Sequence, residues 1–100
     1  MPDRVSLDDV TTAPHANLFP DAEPRTIRLA LDAGERVDPH THPDRQIVLF
    51  LRSGALELTL DEETYDLDPG DVIRFDGRRE VSPRAVADSE ALLVLAERVE

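Results

Sequence analysis

Cysteine is missing from this 100-residue sequence, and so are tryptophan and lysine. Without cysteine the chain can form no disulfide and can use no thiolate nucleophile or ligand. Aromatic residues make up only 4% of the chain, so we expect a core of aliphatic side chains. No apolar run approaches the ~18 residues that a membrane-spanning helix needs, and the start of the chain lacks the features of a signal peptide. We therefore expect a cytoplasmic protein.

Basic residues are scarce relative to acidic ones. The 22 Asp and Glu residues outnumber the 11 arginines, which gives a formal net charge of -11. Such a surface repels phosphate backbones and anionic lipid headgroups, so we expect neither a nucleic-acid partner nor a membrane partner. A solvated acidic surface explains this composition by itself. The acidic, lysine-free composition also resembles that of proteins from salt-loving archaea, in which salt screens the self-repulsion.

From Arg25 onward the spacing of apolar residues predicts β-strands. Apolar and polar residues alternate with a period of two, or form short apolar runs typical of strands buried on both faces. Turn-forming pairs such as Ser53-Gly54 and Pro69-Gly70 separate these segments. The predicted strands cover residues 26–32, 46–51, 55–61, 64–67, 71–75, 80–87 and 91–97.

The first 24 residues differ from the rest because prolines stand at positions 2, 14, 20 and 24. We expect an irregular N-terminal arm there, with one short edge strand near Val5–Val10. Residues 25–100 combine many short strands with no amphipathic helix, which predicts an all-β sandwich or barrel. A chain of this length fits one domain, so we expect an arm over residues 1–24 and a barrel over residues 25–100.

His40 and His42 are the residues that point to chemistry. One residue separates them, so both imidazoles lie on the same side of an extended chain. Pro39 and Pro43 bracket the pair and restrict its backbone. Gln46 has the same parity and comes round to the same side if the chain stays roughly extended. Two imidazoles and an oxygen donor suit a divalent ion such as Fe, Mn, Co, Ni, Cu or Zn, whereas two ordinary surface histidines are the alternative.

This segment resembles the first motif of the cupin family. That motif has a Gly, five residues, His-x-His, three residues and a Glu, and a later Gly closes the strand hairpin. Gly34, His40, His42 and Gly54 match it, and Gln46 stands where the family usually has Glu. The resemblance extends over about residues 25–96. It implies a small jelly-roll barrel of two antiparallel sheets around a metal centre.

The second cupin motif is less complete in this sequence. Residues 68–77 resemble its Pro-Gly-Asp strand and Gly-containing turn, but no histidine completes the metal site. Counting from Gly77 puts Glu80 at that place, and counting from Gly70 puts Val81 there. The apolar alternation that begins at Val81 favours an inward Val81, whereas Glu80 can be an oxygen ligand only if the strand has the other phase.

The resemblance implies a divalent metal held by His40, His42 and Gln46, with Glu80 as a further candidate ligand. It implies a small-molecule ligand and, if the protein is catalytic, metal-dependent oxygenation or isomerisation. A non-catalytic sensor or storage barrel with a reduced or empty metal site is the alternative, which the missing histidine favours. The barrel pocket would have apolar walls. The predicted wall residues are Val48, Phe50, Leu58, Phe75 and Val81.

Other residues carry weaker functional hypotheses. His15 belongs to the predicted arm, and closing the pocket mouth is its alternative role. Arg78 and Arg79 form either a plain surface pair or a clamp for an anionic substrate. Single-barrel cupins commonly pair through edge strands and arms. The resemblance therefore implies a homodimer in which residues near Val5–Val10 or Ala91–Glu97 cover an open edge.

Overall fold

The computed structural model describes residues 2–98, and strands account for most of the regular structure. A short 3₁₀ helix covers Leu7–Asp9, and eight strands follow it. No helix in this part of the chain is long and apolar enough to cross a membrane. The strands are β1 (His15–Asn17), β2 (Arg25–Leu31), β3 (Arg45–Ser53), β4 (Leu56–Leu60), β5 (Glu63–Leu67), β6 (Val72–Asp76), β7 (Val81–Ala85) and β8 (Ser89–Glu97).

The strands form two antiparallel sheets that face each other. The larger sheet has five strands in the order β1-β2-β8-β3-β6, and the smaller has three in the order β5-β4-β7. Every paired strand runs antiparallel to its neighbours. This architecture confirms the predicted all-β barrel of two antiparallel sheets.

The strands predicted from the period of two correspond to β2–β8, and their ends agree to within about two residues. Two predictions about sheet edges were wrong. The edge strand expected near Val5–Val10 does not form, because the acidic pair Asp8-Asp9 disfavours a strand and a 3₁₀ helix occupies that place. The strand of the arm is instead His15–Asn17, which pairs with β2. Ala91–Glu97 belongs to β8, which lies between β2 and β3 and cannot cover an open edge.

The core between the sheets is aliphatic, as the shortage of aromatic residues predicts. Inward side chains alternate with outward ones along each long strand, because successive residues point to opposite faces. Phe75 is the aromatic member of the buried cluster. The buried cluster contains Ile27, Leu29, Leu31, Ile47, Leu49, Leu51, Leu56, Leu58, Leu60, Leu67, Phe75, Val81, Ala85, Ala91 and Leu95.

Candidate functional site

The segment between β2 and β3 carries His40 and runs along the edge strand β7 of the smaller sheet. The Val37 amide donates to the Pro83 carbonyl at 2.9 Å, and the Ser82 hydroxyl donates to the Val37 carbonyl at 2.7 Å. His40 and Val81 exchange two backbone hydrogen bonds, of 3.2 and 2.9 Å. These bonds fix the backbone of His40 at the edge of the barrel.

A tight turn and a glycine hold His42. The His42 amide donates to the Gly77 carbonyl at 2.7 Å, and the Gly77 amide donates to the Arg45 carbonyl at 2.9 Å. The Arg45 amide donates to the His42 carbonyl at 3.0 Å and closes the turn. A Cβ atom at Gly77 would overlap the carbonyl group of His42. Only a residue without a side chain therefore lets this turn lie directly on the end of β6.

A cavity of about 530 Å³ opens between the sheets, and both histidines line it. Its apolar wall comes from inward positions of six strands and from the β2–β3 segment. Its polar side chains come from β1, the start of β2 and the β2–β3 segment. The apolar side chains are Ile27, Leu29, Val37, Pro39, Ile47, Leu49, Leu58, Phe75, Val81, Pro83, Leu93 and Leu95. The polar ones are His15, Arg25, Asp38, His40 and His42.

The imidazoles of His40 and His42 meet edge to face, with ring centroids 4.8 Å apart and planes at 88°. Nδ1 of His40 lies 2.9 Å from the carbonyl oxygen of Asp38. A carbonyl can only accept, so Nδ1 carries the hydrogen of this bond. In the neutral ring Nε2 then keeps its lone pair, which can accept a proton or a hydrogen bond.

Burial and neighbouring positive charge lower the pKa of two histidines in the cavity. For His15 the main cause is desolvation, and His40 adds to it. For His42 desolvation again comes first, followed by His40 and then Arg25. Because both effects disfavour the imidazolium form, His15 and His42 are mainly neutral at pH 7. The cavity therefore offers neutral imidazoles as hydrogen-bonding groups.

Gln46 does not join the histidines, so its predicted place in the pocket was wrong. The turn that begins at His42 interrupts the extended chain and resets the alternation before β3 starts. Ile47 then points into the cavity, and Gln46 lines a separate surface cleft near Asp76 and Arg79.

Val48 and Phe50 share the outward phase of Gln46, so their assignment to the pocket wall was also wrong. Ile47 and Leu49 are buried and line the cavity in their place. Phe50 lies on the outer face of the larger sheet and is 36% exposed. Of the predicted apolar wall, Leu58, Phe75 and Val81 do lie on the cavity.

Glu80 lies on the outer side of the barrel, whereas Val81 is buried and faces the cavity. The Glu80 amide donates to Oδ1 of Asp61 at 3.0 Å, which fixes this strand phase. Glu80 is therefore not a ligand beside His40 and His42. Residues 2–98 contain no group of three His, Asp or Glu side chains that could hold a metal ion. The residues present offer only part of the metal centre that the family implies, because within residues 2–98 no third protein ligand stands beside His40 and His42.

Arg78 and Arg79 do not line the cavity with the histidines and form surface ion pairs instead. Arg78 contacts Asp76 at 2.9 Å, and Arg79 contacts Asp61 at 2.9 Å and Glu63 at 3.0 Å. The guanidinium of Arg79 lowers the pKa of the Asp61 carboxyl. The plain surface pair is thus the arrangement that the structure shows.

Sequence reasoning missed Arg25 and gave His15 only a minor role in the pocket. His15 pairs with Leu29 across β1 and β2, which turns its imidazole to the inward face. Arg25 has the same parity as Ile27 and Leu29, and that alternation was the signal for an inward-facing position at the start of β2. For His15 no comparable signal exists, because β1 has only three residues.

Comparisons with known proteins agree with this architecture. The sequence model of the family described as "Cupin domain" matches residues 27–96. Polyketide synthase CurC of Streptomyces cyaneus is 40% identical over 63 residues, which cover 61% of this chain and only 40% of that protein.

Two solved structures share the fold at lower sequence identity. An RmlC-like cupin from Desulfovibrio desulfuricans has a TM-score of 0.78 at 20% identity, covering 96% of both chains. KdgF from a Halomonas species has a TM-score of 0.73 at 22% identity, covering 85% of this chain and 80% of that one. The matched family segment spans most of the chain and includes both sheets, so this protein belongs to the cupin family.

Proposed function

We propose that this cupin binds one small, mainly apolar organic molecule inside its barrel, with a polar group of the molecule facing the histidines. The observation that carries this proposal is the cavity of about 530 Å³, whose wall is apolar except for one group of polar side chains. Ligand sites typically combine such apolar walls with a few placed polar groups. An aliphatic core packed to ordinary density would leave no space of this size.

The histidines give the polar side its chemistry. Nε2 of His40 has a free lone pair when Nδ1 donates to the Asp38 carbonyl, so it can accept a hydrogen bond or a proton from a ligand hydroxyl. The similarity to polyketide synthase CurC supports a ligand of this kind. Polyketides combine a carbon skeleton with carbonyl and hydroxyl oxygens, which match an apolar wall and neutral imidazoles.

Metal binding through His40 and His42 is the second candidate, together with the oxygenation or isomerisation that the family resemblance implies. The bond from Nδ1 of His40 to a backbone carbonyl favours it, because metal-binding histidines usually anchor their second nitrogen in this way. Titration calorimetry with Zn²⁺ and Co²⁺ on protein purified without a histidine tag tests this candidate. Submicromolar binding that H40A and H42A abolish would support it, and binding that both variants retain would exclude these residues as the site.

A pair of tryptophan variants tests the ligand proposal. Leu93 lines the cavity, whereas its neighbour Leu92 does not. We expect Leu93→Trp to fill the cavity and to weaken binding of a neutral probe such as 2-naphthol by about tenfold or more, because the apolar contacts are lost. Leu92→Trp should leave binding unchanged. Equal affinities of wild type and both variants, measured by calorimetry, would contradict binding inside the barrel.

We also propose that the chain forms a homodimer through the outer face of the larger sheet. Phe50 pairs with Val72 across β3 and β6 and with Leu92 across β3 and β8, so their outward side chains form a row. Val72 is 62% exposed and Phe50 is 36% exposed. Contiguous exposed apolar side chains of this kind are typical of protein interfaces, and a second copy offers the same apolar surface in return.

A further inference from the structure

The arginines at the surface of this acidic protein are mostly engaged by carboxylates. Within residues 2–98, eight of the eleven arginines form ion pairs with Asp or Glu side chains, and Arg25 has no such partner. The paired arginines are Arg28, Arg36, Arg45, Arg52, Arg78, Arg79, Arg84 and Arg98. Among the rest, Arg4 and Arg74 line other surface clefts, whereas Arg25 lines the histidine-bearing cavity.

Two carboxylates, one close to Arg25 in the sequence and one on the same cavity, contact other arginines. Glu23 lies two residues before Arg25 in the sequence, and its carboxylate accepts two hydrogen bonds from the Arg45 guanidinium, of 2.6 and 3.3 Å. Asp38, which also lines the cavity, is 94% exposed in its side chain and contacts Arg36 at 3.5 Å. Within residues 2–98, Arg25 thus forms no ion pair with a carboxylate, although acidic residues outnumber basic ones in the chain.

The remaining groups on the polar side of the cavity carry no negative charge. They are His15, His40 and His42, which line the same cavity as Arg25. Among the described residues Arg25 is the one arginine that lines this cavity, so it supplies the fixed positive charge there. One guanidinium matches one negative charge and can bind a carboxylate through two parallel N–H donors.

We propose that the natural ligand is a small, mainly apolar carboxylic acid whose carboxylate pairs with Arg25 while its carbon skeleton fills the barrel. This inference rests on the proposed function and adds the charge and substrate class of the ligand. The three histidines then contact polar atoms next to the carboxylate. A dianionic phosphate ester fits less well, because the single guanidinium on the cavity would leave its second negative charge without a partner.

Two probes of similar shape but different charge show how much the charge contributes to binding. Cyclohexanecarboxylate and cyclohexanecarboxamide differ in charge but share the ring. We expect wild type to bind the carboxylate about tenfold more tightly than the amide in calorimetry at pH 7.5 and low salt, because of the charge-assisted pair. Arg25→Gln should remove this preference by weakening binding of the carboxylate, and Arg25→Lys should restore part of it.

The matched control is Arg74→Gln, which removes the same charge from the outer cleft and should keep the wild-type preference. Equal binding of both probes by wild type, or a preference that survives in Arg25→Gln, would overturn the carboxylate assignment while the ligand-binding function stands. Tighter binding of cyclohexyl phosphate than of the carboxylate would also overturn it. Failure of both six-membered-ring probes to bind at all would overturn both this inference and the proposed function.

Discussion

His15 and His42 line one cavity from different elements, and each is surrounded by groups that oppose its protonation. Desolvation is the largest cause for both, and positively charged neighbours add to it. Desolvation by a partly apolar wall disfavours the imidazolium form, as it does for buried histidines in general. The residues that surround each imidazole therefore determine its pKa in the cavity.

The titration of these histidines is the prediction at this scale. We expect ring-proton NMR signals of His15 and His42 to titrate below the ordinary value of 6.5. Arg25→Gln should raise the pKa of His42, because it removes a positive neighbour. Folding lowers both pKa values, so the unfolded chain binds more protons near that pH, and this contribution to stability falls as pH decreases through about 6.5. Midpoints above 6.5 in the folded protein would contradict these environments.

The sequence analysis found part of this site and missed part of it for a local reason. The single-residue spacing of His40 and His42 predicted a shared direction, and both rings line the cavity. The prediction for Gln46 was wrong, because alternate residues point to the same side only while the chain stays extended. The turn at His42 interrupts the extended chain before Gln46. The alternation of Arg25 with Ile27 and Leu29 indicated that Arg25 faces inward, but a search for metal ligands does not consider arginine.

At the scale of elements, the β2–β3 segment and Gly77 together position the histidines. The segment adds to the edge of the smaller sheet through backbone bonds to β7, and its final turn lies on Gly77. The seven longer strands were predictable because each has a period of two or a short apolar run. The pairing of residues 34–40 with the edge strand β7 was not predictable. Backbone groups make these contacts, and they leave no pattern in the side chains.

A substitution at Gly77 tests this packing. Gly77→Ala should push the turn at His42 away from β6 and destabilise the protein by about 1–3 kcal/mol, because the new methyl group overlaps backbone atoms that cannot move freely. Chemical denaturation measures the loss, and the ring signals of His42 should shift.

Gly34→Ala is the matched control for Gly77→Ala. A Cβ at Gly34 meets no atom within 4 Å, although its φ of 88° is costly for alanine. We expect a loss of about 1 kcal/mol from backbone strain alone, with the His42 signals unchanged. An unchanged His42 environment in Gly77→Ala would show that the turn does not depend on this contact.

At the scale of the whole molecule, the net charge of -11 acts on stability. Raising the salt concentration to about 1 M shortens the screening length to about 3 Å, which should relieve the repulsion among surface carboxylates. Salt also weakens exposed ion pairs, but each contributes only about 0–1 kcal/mol. We therefore expect the thermal midpoint, followed by circular dichroism, to rise with NaCl and equally with KCl. A midpoint that stays level or falls would contradict a salt-adapted surface.

The oligomeric state is the second property at this scale. Light scattering should return a mass twice that of the 11.2 kDa chain. Val72→Glu should give the monomer mass, because it places a charge in the apolar row beside Phe50. Val86→Glu is the control, since Val86 is also exposed but follows β7 in the smaller sheet. A monomeric wild-type protein, or a dimer that survives Val72→Glu, would contradict the proposed interface.

The location of a bound molecule tests the ligand proposal most directly. Isotope-filtered NMR on methyl-labelled protein can detect contacts between the ring protons of cyclohexanecarboxamide and leucine or valine methyl groups. We predict contacts to Leu49, Leu58 and Leu93, whose side chains line the cavity. Contacts confined to the outward Val48 and Val72, or no contacts at a saturating probe concentration, would contradict binding inside the barrel.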